Sequence, residues 1–153
     1  TKVGRDYQLE ELTKTELRSG DAHVIGIAMS FLDVHVNRAP VEGVVTLRRH
    51  FPGRFGSLGD PAMTFENERA TTVIESPSGL QVAVVQIASR LVRQIASYVE
   101  VGERIALGQR IGIIRLGSQV DLVLPVVEGL DVLVAEGDRV RAGESVLARI
   151  TKG

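Results

Sequence analysis

The sequence predicts an all-β protein, and three observations carry that reading. From His23 onward the chain breaks into short runs rich in Val and Ile, nine in all: "HVIGIAM", "VHVNR", "VEGVVTLR", "TTVIES", "LQVAVVQIAS", "LVRQIASYV", "RIGIIRL", "VDLVLP" and "LDVLVA". Gly, Pro and Ser punctuate those runs at short intervals, the pattern of a barrel or sandwich. The chain also repeats a glycine-rich turn. The segment "VGERIALGQRIGII" at 101–114 is echoed by "EGDRVRAGESVLARI" at 136–150, so that Gly102, Glu103, Arg104, Ile105, Gly108 and Ile111 recur as Gly137, Asp138, Arg139, Val140, Gly143 and Val146.

Each segment follows from local chemistry. Residues 1–20 are polar, and Leu9, Leu12 and Leu17 allow one short helix or an ordered loop. The β-branched runs that follow fit a pleated, half-buried surface. "IASRLVRQIASYV" also has the period of an amphipathic helix, but its β-branched content and its neighbours favour strand. In the repeated turn the glycines supply unusual backbone angles and the apolar residue after the Arg plugs inward. Two related hairpins in one compact fold resemble the biotinyl/lipoyl modules, the barrel-sandwich hybrids. Those modules attach a cofactor to a hairpin lysine, and no lysine stands between Lys14 and Lys152.

Bulk composition narrows the function. A chain of 153 residues with 44% hydrophobic and 24% charged residues suits a single domain with a real core. The net charge of -1 and 4% aromatic content argue against a nucleic-acid partner. With no cysteine there is no disulfide and no thiolate nucleophile, and the three histidines show no metal-ligand spacing, so no metal is expected. No apolar run reaches the length of a membrane span and no signal peptide is visible. The chain begins at Thr1 rather than Met, which suggests a processed or truncated product.

Candidate chemistry gathers at few positions. In "FLDVHVNRAPVEG", strand alternation places Asp33, His35 and Asn37 on one face. A histidine beside a carboxylate suits general-base work near neutral pH, against the plain alternative of a solvated sheet face. "RRHFPGRF" groups Arg48, Arg49, His50 and Arg54 around a Pro-Gly turn, which is either a solvated basic loop or an anion site. "IGIIRLGSQVDLVLP" sets Gly117-Ser118 between two apolar strands without the Asn-Gly or Asp-Gly signal of a tight hairpin. No G-x-S-x-G elbow surrounds Ser118, which argues against an α/β-hydrolase.

Taken in order, "FLDVHVNRAPVEG", "HFPGRF", "ENER" and "RLGSQVDLVLP" resemble the phosphatidylserine decarboxylases, in particular their short archaeal-type branch, over roughly Gly26 to Ile150. The resemblance implies a proenzyme that cuts itself at Gly117–Ser118 into a β chain, 1–117, and an α chain, 118–153. Ser118 would become a pyruvoyl group, the enzyme's only cofactor, which forms a Schiff base with the substrate amine. His35 would be the general base with Asp33 as its possible partner, and Arg48, Arg49, His50 and Arg54 would bind the substrate phosphate. The implied substrate is a phosphatidylserine-like or archaetidylserine-like lipid, and the implied protein is a homodimer peripheral to the cytoplasmic side of a membrane. The Ser-Pro-x-Asp-Gly segment usual upstream in the family is absent from this chain, and Gln119 replaces the usual Arg or Thr. The competing readings are a non-enzymatic biotinyl/lipoyl-like binding module and an inactive paralogue.

Overall fold

The computed structural model describes residues 21–30, 32–33, 35–53, 67–88, 95–114 and 118–151. Within them the chain forms eleven strands and no helix: β1 (Ala22–Met29), β2 (Val36–Arg38), β3 (Gly43–Phe51), β4 (Arg69–Glu75), β5 (Gln81–Ile87), β6 (Ile95–Ser97), β7 (Arg104–Ile105), β8 (Arg110–Ile114), β9 (Ser118–Pro125), β10 (Leu130–Val132) and β11 (Ala148–Ile150). The all-β expectation therefore holds for these residues. The possible helix within 1–20 lies outside them, as do residues 91–94 of "LVRQIASYV", whose described part contains the short β6.

Three antiparallel sheets result. The largest has the order β1-β9-β5-β4-β3-β7, the second is β2-β8-β6, and the third is the pair β10-β11. Alternation along β5 and β9 gives the main sheet two faces. Val82, Val84, Leu122 and Leu124 point to one side, where they pack with Ile111 and Ile114 of β8 and against Leu130, Val132 and Ala148 of the third sheet. Val73, Ala83, Val85, Ile87 and Val123 point to the other. Both faces of the central strands are buried, which explains why "LQVAVVQIA" reads as an almost unbroken apolar run. Val45, Ile74, Val82 and Ile114 are fully buried, each worth about 1.5–3 kcal/mol.

The repeated turn folds the same way twice. Glu103 N–H donates to the Glu100 carbonyl while the Glu103 carboxylate accepts from Glu100 N–H. Asp138 and Ala135 make the same two bonds. Gly102 and Gly137 take φ of 90° and 94°, and Gly108 and Gly143 take 76° and 79°, values that L side chains rarely adopt. Arg38 lies between the copies. Its guanidinium donates to the Gly108 carbonyl at 2.8 Å, and its stem lies 3.0 Å from where a Cβ on Gly143 would stand.

The structure corrects the phase of the echo beyond the second glycine. Tyr98 N–H donates to the Ile111 carbonyl, whereas Leu133 N–H donates to that of Leu147. The second turn, closed by Arg141 and Ser145, is one residue longer, so the counterpart of the buried Ile111 is Leu147 rather than the exposed Val146. Ile111→Ala should therefore cost about 2–5 kcal/mol in urea denaturation. Leu147→Ala, partly buried, should cost less than that but clearly more than Val146→Ala, which should stay within about 0.5 kcal/mol. Equal losses at 146 and 147 would contradict this phase.

Candidate functional site

The two apolar strands either side of Gly117-Ser118 do not pair with each other. β8 belongs to the second sheet and β9 to the main sheet. The step that lacked a hairpin signal is a crossing between layers. Gly117 itself lies outside the described residues, but both ends of the crossing are within them. Ser118 opens β9 and faces Met29, the last residue of β1, with Gln119 opposite Ala28. Ile114 closes β8 and donates its N–H to the His35 carbonyl at 3.1 Å, next to the Val36–Ile113 pair of β2 and β8.

That pairing brings His35 to the crossing. Four residue steps separate Ile114 from Ser118, so their Cα atoms lie within about 14 Å. Ser118 is 2% exposed. Alternation from Val120 and Leu122 turns its side chain toward the second sheet. Among the described residues, the buried side-chain nitrogen or oxygen atoms without a hydrogen-bond partner are His35 Nε2 and Ser118 Oγ. Leaving a buried polar group unsatisfied costs about 1–3 kcal/mol. Two such atoms on the residues flanking one junction mark a site built for something other than stability.

Asp33 is placed differently from its expected position. β2 begins only at Val36, and Asp33 sits in the turn before it, so strand alternation does not put it on the face of His35. Its carboxylate accepts from Ser30 N–H at 2.6 Å while its own N–H donates to the Ser30 carbonyl. The Ser30 backbone N–H and then its hydroxyl hold the Asp33 carboxyl below the usual aspartate range, and the nearby positive charge of His35 and Arg139 adds to the effect. Asp33 thus touches His35 only through space.

The basic cluster is also rearranged. Arg48, Arg49 and His50 lie on β3, which runs on to Phe51 before the Pro-Gly step, and Arg54 lies outside the described residues. Arg48 and His50 share one face of the strand and Arg49 takes the other. Arg48 donates to the Val99 carbonyl and pairs with Glu100 at 2.8 Å. His50 Nε2 meets Glu68 Oε1 at 2.5 Å. Among the described residues Arg49, which is exposed, has no ion pair. The carboxylate–histidine contact sought at Asp33–His35 thus occurs at Glu68–His50, with Glu68 almost fully buried. The only hint in the sequence was a glutamate inside "ENER".

One further polar contact ties the layers together. Gln86 of β5 donates through Nε2 to Asn37 Oδ1 of β2 at 2.7 Å, with both residues buried. A lone Gln in an apolar strand is the sequence signal for such a bond. No group of three or more metal-ligating side chains is present among the described residues, and no helix there is long and apolar enough to cross a membrane.

Fold and site together define an all-β chain organised around a buried serine and a half-buried histidine at a crossing between sheets. The phosphatidylserine decarboxylase family model matches residues 1–148, and the chain belongs to that family. It is 47% identical over 128 residues to the phosphatidylserine decarboxylase proenzyme of Mycolicibacterium vanbaalenii, across 84% of this chain and 54% of the relative. It is 44% identical over 136 residues to that of Trichlorobacter lovleyi, across 89% and 61%. It is 45% identical over 152 residues to a provisionally named archaetidylserine decarboxylase proenzyme of Methanothermobacter thermautotrophicus, across 99% and 66%. The chain thus spans between about half and two thirds of the length of these curated relatives. No solved structure gives a significant match.

The Asp33 arrangement has a pH signature. Because its folded pKa is depressed, the stability it contributes is present above the unfolded value of about 3.9 and is lost as pH falls through the folded value. Asp33→Asn should flatten the acid limb of stability below about pH 4 and leave the pH dependence above pH 5 unchanged. Denaturant unfolding at a series of pH values checks this.

Proposed function

We propose that the chain is a self-cleaving proenzyme that becomes a pyruvoyl-dependent decarboxylase, a carboxy-lyase, of a phosphatidylserine-like or archaetidylserine-like phospholipid. The observation that carries this reading is the pair of unpartnered buried atoms, Ser118 Oγ and His35 Nε2, at the two ends of the crossing that contains Gly117. Membership of a family whose named relatives are proenzymes supports it.

In the precursor, His35 Nε2 takes the Ser118 hydroxyl proton, since a free serine is a weak nucleophile. The Ser118 oxygen bonds to the Gly117 carbonyl carbon, the C–N bond breaks, and the freed nitrogen takes a proton, leaving an ester. Elimination across Cα–Cβ of residue 118 releases the Gly117 carboxylate. Water then adds and ammonia leaves, which converts residue 118 to a ketone. The site fits that product. Ser118 is the only covalent source it needs, the position is enclosed, and no lysine or cysteine is called for. The pyruvoyl group supplies an electron sink for a substrate amine whose carboxylate departs.

The phosphate falls to the basic side chains of β3. Arg49 is exposed and without an ion pair among the described residues, His50 is held by Glu68, and Arg48 lies beside Glu100; guanidinium groups suit phosphate geometry. Arg54 completes the group proposed from sequence. Exposed Leu32, Val126, Val127 and Val146 fit a protein that works as a homodimer on the cytoplasmic surface of a membrane. The two copies of the turn, closed by matching bonds, support the barrel-sandwich-hybrid reading of the fold.

Ser118→Ala should abolish both cleavage and decarboxylation. In the active protein, borohydride added with substrate should place a covalent adduct on fragment 118–153, read by denaturing mass spectrometry; a Ser118→Ala protein that still decarboxylates, or an adduct on a lysine, would sink the assignment. His35→Ala should slow cleavage by about 100- to 10,000-fold. Fragment appearance on denaturing gels over time measures this. An unchanged rate in His35→Ala would leave the base unassigned, with His50 next to be replaced.

A further inference from the structure

We propose that Gln86 and Asn37 are a positioning pair that holds β2, which His35 directly precedes, at a fixed distance from β9, which Ser118 opens. The inference rests on the self-cleavage reading above. Each half of the pair is tied to one half of the reacting couple. Asn37 lies two residues from His35 along the β2 segment, so the two side chains leave the backbone on the same side. Gln86 faces Val120 in the β5–β9 register, and Val120 lies two residues from Ser118 on the same face. The 2.7 Å bond between Gln86 Nε2 and Asn37 Oδ1 therefore joins the two layers one step away from the serine and the histidine.

Nothing in packing alone demands this bond. The inner face around it belongs to the apolar cluster that includes Val84, Val120, Leu122, Ile111 and Ile114, where an apolar pair would serve. A buried amide placed among them costs desolvation unless it is bonded, and this one needs space cut from the opposite strand. Gly112, which faces Asn37 in the β2–β8 register, leaves that space; a Cβ there would stand 2.8 Å from Gln86 Nε2 and 2.6 Å from the Ala96 carbonyl. Apolar contacts let layers slide at little cost, whereas a directional hydrogen bond sets one register. Attack of Ser118 on its neighbour's carbonyl requires such a setting, because a misplacement of about 1 Å can cost about 100-fold in rate.

The test separates position from stability. Replacing both partners of a buried hydrogen bond with apolar groups of similar shape is close to neutral for folding. The double variant Asn37→Leu with Gln86→Met should therefore stay folded. Cleavage is first order in folded chain, so a loss of folded protein lowers its extent, whereas a displaced base lowers its rate constant. The double variant should cleave with a rate constant about 10- to 100-fold lower, while the fraction of chain that finally cleaves stays unchanged. Asn37→Asp, which keeps the shape and the acceptor for the Gln86 Nε2–H, should keep most of the rate. A double variant that cleaves at the unaltered rate overturns the proposal. Failure of the unaltered chain to cleave at all would strike the proposed function and not the bridge. The bridge is then decided by hydrogen exchange at the Ile114 amide, which is bonded to the His35 carbonyl. Faster exchange in the double variant supports the pair, and unchanged exchange overturns it.

Discussion

Strands β8 and β9 follow one another in the chain with three residues between them, yet they hydrogen-bond in different sheets. Much of the molecule answers to that constraint. The crossing must leave one layer and enter the other where both are closely packed, so its ends are pinned: Ile114 by β2 and Ser118 by β1. Pinning the first end brings His35 to the junction, and pinning the second buries Ser118. The unpartnered side chains of Ser118 and His35 are thus placed by topology, through strand pairing.

The layers are held in that relation by contacts of two kinds. Apolar burial between the sheets supplies most of the stability but little direction. Directional contacts are few, and two of them start from adjacent residues: Asn37 reaches Gln86 in the main sheet, and Arg38 reaches Gly108 in one of the repeated turns. A three-residue strand therefore joins three parts of the fold. Against this ordered background the unsatisfied Ser118 Oγ and His35 Nε2 stand out as a local loss of stability, of the sort folds carry where they do work.

Much of this was legible in the sequence because it depends on short-range pattern. β-branched runs gave strands, and the spacing of Gly102 and Gly108 gave a turn whose copy lies at Gly137 and Gly143. Local pattern misleads where it is extended past its end. Alternation does not reach back from Val36 to Asp33, because the chain turns there, and the basic cluster lies on β3, which continues to Phe51, rather than on the Pro-Gly step. The single added residue in the second turn shifted Ile111 against Val146, a slip invisible until strand pairing chose Leu147. The Asn37–Gln86 and His50–Glu68 contacts join residues on different strands, which local pattern does not reach.

The position of β9 has a consequence for the molecule once the bond before Ser118 is cut. β9 is not an edge strand; it lies between β1 and β5, pairing with β1 along its whole length and with β5 from Gln119 to Val123. The C-terminal piece would then be a separate polypeptide threaded into the middle of its partner's sheet, contributing β9, β10 and β11 to a core that the larger piece cannot complete alone. A molecule cut there would in effect be a split protein. Its unfolding would change from a unimolecular to a bimolecular equilibrium, so its melting temperature would rise with protein concentration. Separated pieces would have to find each other again before either could bury its apolar face.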